Sequence, residues 1–145
     1  PKNKLPSHPG HETRGCKLIR AMDERLPIPR TCRDLGLIVA EYNTHVHRAL
    51  ELRADTILKV LERTDAFRRP GRFEQFLITC EADARGRAGL EDRSYEQAGV
   101  FRGAFAAASG VDAAAIASAT DGRKIPQAIR RARLHAVTEF RATAP

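Results

Sequence analysis

Apolar residues recur along this chain at three- and four-residue intervals, and no segment keeps a two-residue alternation. That period predicts helices. Gly15, Leu18, Ile19, Met22 and Leu26 share one face of a first helix beginning at His11, and Pro27 and Pro29 stop it. Ahead of it, Pro1, Pro6, Pro9 and Gly10 predict an extended lead-in. Thr31 with Asp34 three residues on has the form of a capping box, and Cys32, Leu35, Val39, Tyr42 and Val46 follow as the stripe of a second helix. Asp55 or Thr56 is placed to cap a third helix, with Ile57, Leu58, Leu61 and Phe67 apolar and Arg68-Arg69-Pro70-Gly71 as its end. The most regular stripe comes next: Phe73, Phe76, Leu77, Cys80 and Ala84 fall at i, i+3, i+4, i+7 and i+11.

Gly86 and Gly89 then mark a loop. Ser94 and Gln97 form a second capping box before Ala98, Phe101, Phe105 and Ala108. Asp112 starts a short Ala-rich helix ending at Asp121-Gly122, and a last helix carries Ile125, Ile129, Ala132, Ala136 and Phe140 on one face. The expectation is an all-α bundle of about seven helices without internal repeat.

The 145 residues suit one ordinary domain, or one domain with a small helical extension. Apolar residues at 42% are enough for a core, and charged residues at 30% are spread along the chain, which argues against disorder. The net charge of +7, from 25 Lys and Arg against 18 Asp and Glu, biases the partner toward a polyanion. Cys16, Cys32 and Cys80 each fall on an apolar stripe and form no Cys-x-x-Cys, so they are expected as small buried hydrophobes in a reducing cytoplasm. No apolar run reaches membrane-spanning length and no signal peptide is present. The chain opens at Pro1 without a Met, and an excised fragment is expected.

His11 lies four residues before Gly15 and so points along the apolar face, where a ring needs a hydrogen bond or a metal. Asn43 sits on the buried side of the second helix, Asp83 lies on the edge of the Phe73–Ala84 stripe, and Asp65 closes the third helix just before two arginines. With His11 they form a set able to converge on a divalent ion, or equally to pair with Arg68, Arg69, Arg85 or Arg87. His45 and His47, read as a loop after the second helix, are a pair able to chelate or simply to solvate. Arginines cluster at Arg68, Arg69 and Arg72, at Arg85 and Arg87, and from Arg123 to Arg133, either as phosphate contacts or as solvated helix flanks. Aromatics at 6%, with no Trp, follow core spacing, so base stacking is not suggested and recognition of folded RNA by shape and backbone fits better. P-loop, GxSxG, HExxH and zinc-finger spacings are all missing.

Several stretches, in order, carry a more specific signal. They are His8-Pro9-Gly10-His11-Glu12-Thr13-Arg14-Gly15, Val46-His47-Arg48-Ala49-Leu50-Glu51-Leu52-Arg53, Asp65-Ala66-Phe67-Arg68-Arg69-Pro70-Gly71-Arg72-Phe73-Glu74-Gln75 and Cys80-Glu81-Ala82-Asp83-Ala84-Arg85-Gly86-Arg87. Together they resemble the C-terminal HD-domain half of the bacterial multifunctional CCA family, the CCA-adding tRNA nucleotidyltransferases. The stretch Gly122-Arg123-Lys124-Ile125 through Arg133 is similar to that family's last helical segment.

The resemblance implies an HD-domain-like fold, with 1–93 the remainder of an HD domain and 94–145 a C-terminal helical tail. It implies tRNA as partner, an N-terminal transferase domain that takes ATP and CTP, and a metal-dependent phosphohydrolase for cyclic and monoester phosphates, served by Mg or a transition metal such as Ni. His11, in His-x-x-x-Gly, matches a metal-ligand position; Asp83 is the choice for the closing aspartate and Asp65 the lesser one. Arg85, Arg87, Arg123, Lys124, Arg130, Arg131 and Arg133 are the residues expected to meet RNA. Two departures weaken the hydrolase. The His-Asp dipeptide is expected upstream of Pro1, and Asn43 stands where relatives often carry His, a carboxamide being a poorer ligand for a transition metal. Loss of the helix bearing that dipeptide is expected to expose core surface on the first helix and to favour a homodimer. A bacterial poly(A) polymerase and a non-catalytic RNA-binding helical module are the competing readings.

Overall fold

Seven α-helices and two short 3₁₀ turns make up the computed structural model, which describes residues 10–86 and 88–143, and no strand occurs among the described residues. The helices are α1 (His11–Arg25), α2 (Arg30–His47), α3 (Ala54–Arg63), α4 (Pro70–Arg85), α5 (Gln97–Ser109), α6 (Ala113–Ser118) and α7 (Ile125–Thr143), with 3₁₀ turns at Ala49–Glu51 and Gly122–Lys124. The all-α expectation holds. All but the last residue of the extended lead-in lie outside the described residues. The chain forms two compact units, Pro1–Thr44 and His45–Pro145.

In the first unit, Gly10 begins α1 from the left-handed region, φ 73°, which costs a glycine nothing. Leu26 leaves the helix in an extended conformation, as Pro27 and Pro29 require. α1 and α2 run antiparallel. A Cβ on Gly15 would lie 3.3 Å from Ala40 Cβ, one on Gly36 3.7 Å from Ile19 Cδ1, and Arg33 bonds Asp23 at 3.0 Å.

This contact corrects the first stripe. α2 takes the Gly15, Cys16 and Ile19 side of α1, while Leu18, Met22 and Leu26 remain 66%, 49% and 52% exposed. At 100° per residue one set spans two adjoining arcs, and only one arc is covered. Cys32 is exposed and Cys16 half-buried, so only Cys80 is the buried hydrophobe anticipated. The Thr31 capping box does not form, because α2 starts at Arg30 with the Pro29 carbonyl accepting from Cys32 and Arg33 N–H. Asp34 is bonded by the Arg33 guanidinium at 2.8 Å.

Among the described residues, all the buried apolar side chains belong to the second unit. The buried set comprises Ile57, Leu58, Val60 and Leu61 of α3, Phe73, Phe76, Leu77 and Cys80 of α4, Ala98, Phe101, Ala104 and Ala108 of α5, and Val137 of α7, with α5 and α7 both packed on α3. Each fully buried Leu, Ile or Phe contributes about 1.5–3 kcal/mol, so this unit carries most of the hydrophobic stabilisation. α5 packs on α7, α3 and α4. It is rich in Ala and Gly, which admits α7 closely: a Cβ on Gly103 would run into the Phe140 ring. Phe67, Phe105 and Phe73 form a chain of rings at 5.8 and 5.5 Å.

The α3–α4 connection differs from expectation. α3 begins after Arg53, so Asp55 and Thr56 sit in its first turn rather than at its cap, and Phe67 lies beyond its end. Ala66 N–H bonds Leu61 O at 3.0 Å and Asp65 N–H bonds Glu62 O at 3.1 Å, closing the helix with Asp65 left-handed at φ 58°. Pro70 does not end α3; it opens α4, where its missing N–H costs no bond. Further on, Glu96 rather than Ser94 precedes α5, so the second capping box is also unformed. The Asp112 cap does form, accepting from Ala115 N–H at 2.9 Å, but α6 ends at Ser118, short of Asp121.

Candidate functional site

Two features of the second unit concentrate polar chemistry. The first joins the last residue of α2, the C-terminal part of α4 and the loop before α5. His47 Nε2 lies 3.1 Å from Asp83 Oδ2, and His47 Nδ1 lies 2.9 Å from the Tyr95 hydroxyl. The rings of His47 and Tyr95 meet edge-on. Burial, then the nearby Cys80, Asp83 and Glu81, push the Tyr95 hydroxyl well above the usual phenol range. It stays protonated and is placed to donate to Nδ1 in the tautomer whose Nε2–H donates to Asp83. A cavity of about 160 Å³ opens beside this cluster, lined also by Leu90, Arg93 and Gln97. Gln97 Oε1 is buried without a hydrogen-bond partner. Burial, then Asp83, pushes the Cys80 thiol up to about 12, which keeps it an inert core group.

His45 and His47 stand inside α2, not in a loop. Two residues apart on a helix they point to opposite sides, so the His-x-His pair cannot close on one ion. The expected metal ligands are placed as follows. His11 is on the first turn of α1 with its side chain 54% exposed, not at the head of a buried stripe; its Nε2 is 3.2 Å from Thr44 Oγ1 and its Nδ1 3.6 Å from Glu12. Asp83 belongs to the other unit and bonds His47. Asn43 is half-buried on α2. Asp65 is held by Arg69 at 3.4 Å and by Arg68 and Arg72 at 3.9 Å, the ion-pair alternative. Among the described residues no group of three or more His, Cys, Asp or Glu is arranged to hold a metal ion. The donor set therefore does not fit a metal centre by itself.

The second feature is an open groove of about 990 Å³ between α6 and α7, lined by Ile116, Thr120, Lys124, Ala128, Arg131 and His135 among others. Arg130 borders it, but its guanidinium bonds Asp55 at 2.7 Å and Glu62 at 3.2 Å. Arg133 lies over the Phe67 ring, 3.8 Å from the centroid. Arg85 bonds Glu81 at 3.0 Å and the Arg93 carbonyl at 3.0 Å. Arg123, Lys124 and Arg131 are exposed, and Arg87 lies outside the described residues. The seven basic residues expected to meet RNA thus divide by what already holds them. His135 stands four residues after Arg131, a spacing that places both on one side of α7.

The fold and the two features define an all-α, basic chain with no helix, among the described residues, long and apolar enough to cross a membrane. Over nearly its whole length the chain is similar to a stretch of the Multifunctional CCA proteins. It is 49% identical over 142 residues to the "Multifunctional CCA protein" of Pseudomonas fluorescens, covering 97% of this chain and 35% of that protein. It is 48% identical over 146 residues to that of Alkalilimnicola ehrlichii, covering 100% and 35%, and 50% identical over 139 residues to that of Burkholderia multivorans, covering 94% and 34%. The chain spans about a third of the length of the curated relatives it matches. No family model matches it, and no solved structure does.

Proposed function

We propose that this chain is the C-terminal, HD-domain-derived part of a CCA-adding tRNA nucleotidyltransferase, and that it serves to position tRNA. One observation carries the reading: 43–50% identity to Multifunctional CCA proteins over nearly the whole chain. In this reading residues 1–93 are the remainder of the HD domain and 94–145 the helical tail. Nucleotidyl transfer from CTP and ATP, with its divalent metal, belongs to an N-terminal domain of the longer polypeptide, acting in the cytoplasm. The net charge of +7 and the exposed Arg123, Lys124 and Arg131 support a polyanionic partner.

The phosphohydrolase reading lacks comparable support. His11 and Asp83 each have hydrogen-bonding neighbours, and the described donors do not gather around a metal position. The names of the relatives favour CCA addition over poly(A) synthesis.

The test is incorporation of labelled CTP and ATP into a tRNA lacking its CCA end, by the complete polypeptide with and without this segment. A positioning role raises KM for tRNA more than it lowers kcat, with kcat/KM falling about tenfold or more on removal. Equal kcat/KM for tRNA without the segment ends the reading.

A further inference from the structure

We propose that the groove between α6 and α7 is a docking site for an acidic amphipathic helix of a protein partner. The apolar face of that helix seats on Ile116, Ala128, Ala132 and Leu134, and its carboxylates meet Lys124 and Arg131. The proposal goes beyond the tRNA reading and does not depend on it, since that reading rests on the similarity to the CCA proteins.

The floor is the first argument. The lining is mainly apolar, with Ile116 contributed by α6 and Ala128, Ala132 and Leu134 by α7. All four are half-buried, whereas Val137, on the core side of α7, is fully buried. The two alanines leave a depression beside the larger Ile116 and Leu134. Withdrawing this surface from water favours an occupant that covers it with apolar side chains.

Shape is the second. The groove, about 990 Å³, is open rather than enclosed. A small molecule there would keep much of its surface in water, where an enclosed pocket would bury most of it. A helix laid into the groove instead seats a row of side chains at i, i+3, i+4 and i+7.

Charge decides which helix. Arg130 is held by Asp55 and Glu62, but Lys124 and Arg131 form no ion pair among the described residues, and no Asp or Glu lines the groove. Unpaired cations beside an apolar floor complement carboxylates flanking an apolar stripe. A second copy of this chain does not supply that pattern. Its exposed apolar helix face, Leu18, Met22 and Leu26, is flanked by the exposed Arg14 and Arg25, and the chain carries +7. A phosphate backbone would satisfy the cations but leave the apolar floor uncovered.

The experiment uses the 145-residue chain and a fluorescein-labelled synthetic helix of roughly five turns, with Leu at i, i+3, i+4 and i+7 and Glu on the flanks. One control peptide has the same residues in scrambled order, and another has Lys in place of Glu. Binding is followed by fluorescence anisotropy, and unchanged circular dichroism and Tm establish that the variants fold. The proposal expects the acidic helix to bind about tenfold or more tightly than either control, and Ile116→Ser and, separately, Ala128→Glu to weaken it by about tenfold. Arg131→Glu weakens it several-fold and strengthens binding of the Lys peptide. Leu50→Ser, which removes an exposed apolar side chain outside the groove, leaves the affinity in place. Equal binding of the scrambled peptide, or unmoved affinity in both Ile116→Ser and Ala128→Glu, overturns the proposal. So does a loss of tRNA affinity in those variants with peptide binding intact, since the groove then takes RNA. Loss of self-association in sedimentation, again with peptide binding intact, overturns it too, since the occupant is then a second copy.

Discussion

The guanidinium of Arg133 lies 3.8 Å from the centroid of the Phe67 ring, and its Nε is buried without a hydrogen-bond partner. An arginine on a basic helix is here part of the packing between α7 and the α3–α4 turn. Cation–π contact of this kind contributes about 0.5–2 kcal/mol, and the side-chain stem adds packing.

Arg133→Ala is therefore expected to lower stability by about 1–2 kcal/mol, read as a shift in the urea midpoint. Arg133→Lys recovers part of the loss, because the charge is kept and the flat stacking face is not. A double-mutant cycle with Phe67→Leu should give a coupling of about 0.5 kcal/mol or more. Additive effects would show that Arg133 does not act through the ring.

Gly103 is the point at which α5 admits α7. A methyl group there meets the Phe140 ring, and no flexible chain end is available to give way. Gly103→Ala gains helix propensity but overpacks the contact, so a net loss of about 1–3 kcal/mol is expected in thermal or urea unfolding. Combining it with Phe140→Leu should restore much of the loss. A single variant as stable as the parent would mean that α7 shifts freely on α5.

Glu74 and Arg102 tie α4 to α5 through bonds of 2.6 and 3.1 Å. The Arg102 guanidinium holds the Glu74 carboxyl below its ordinary value, against a smaller opposing effect of burial. A depressed carboxylate pKa stabilises the fold above the unfolded value, near 4.3, and the contribution is lost as pH falls through the folded value. Both side chains are more than 40% exposed, so solvent screening limits the effect to about 0–1 kcal/mol. Glu74→Gln is expected to be slightly less stable than the parent at pH 7, with the gap closing below about pH 4. A gap that stays constant from pH 7 to 3 would place its origin elsewhere.

The helices and most of their core faces were legible in the chain because their information is local. Phe73, Phe76, Leu77 and Cys80 recur with the period of one helix and are all buried. The caps were less legible. Thr31 and Ser94 have the right chemistry, but the helices begin at Arg30 and Gln97, where Pro29 and Glu96 set the chain direction.

What the sequence determined alone is thus the helical class, the stop at Pro27 and Pro29, the Asp112 cap, the positive charge and the similarity to the CCA proteins. Tertiary structure decided the rest. The His47–Asp83 and His47–Tyr95 bonds join residues 36 and 48 positions apart, a distance over which no periodicity speaks. Helical spacing alone puts Arg131 on a different flank of α7 from Arg130 and Arg133, but it does not say what either flank meets. On the folded helix each residue turns about 100° from the last, so Arg130 meets carboxylates of α3, Arg133 meets an aromatic ring and Arg131 faces the open groove. Which side of a helix the protein occupies is fixed by its neighbours, and only the assembled helices supply them.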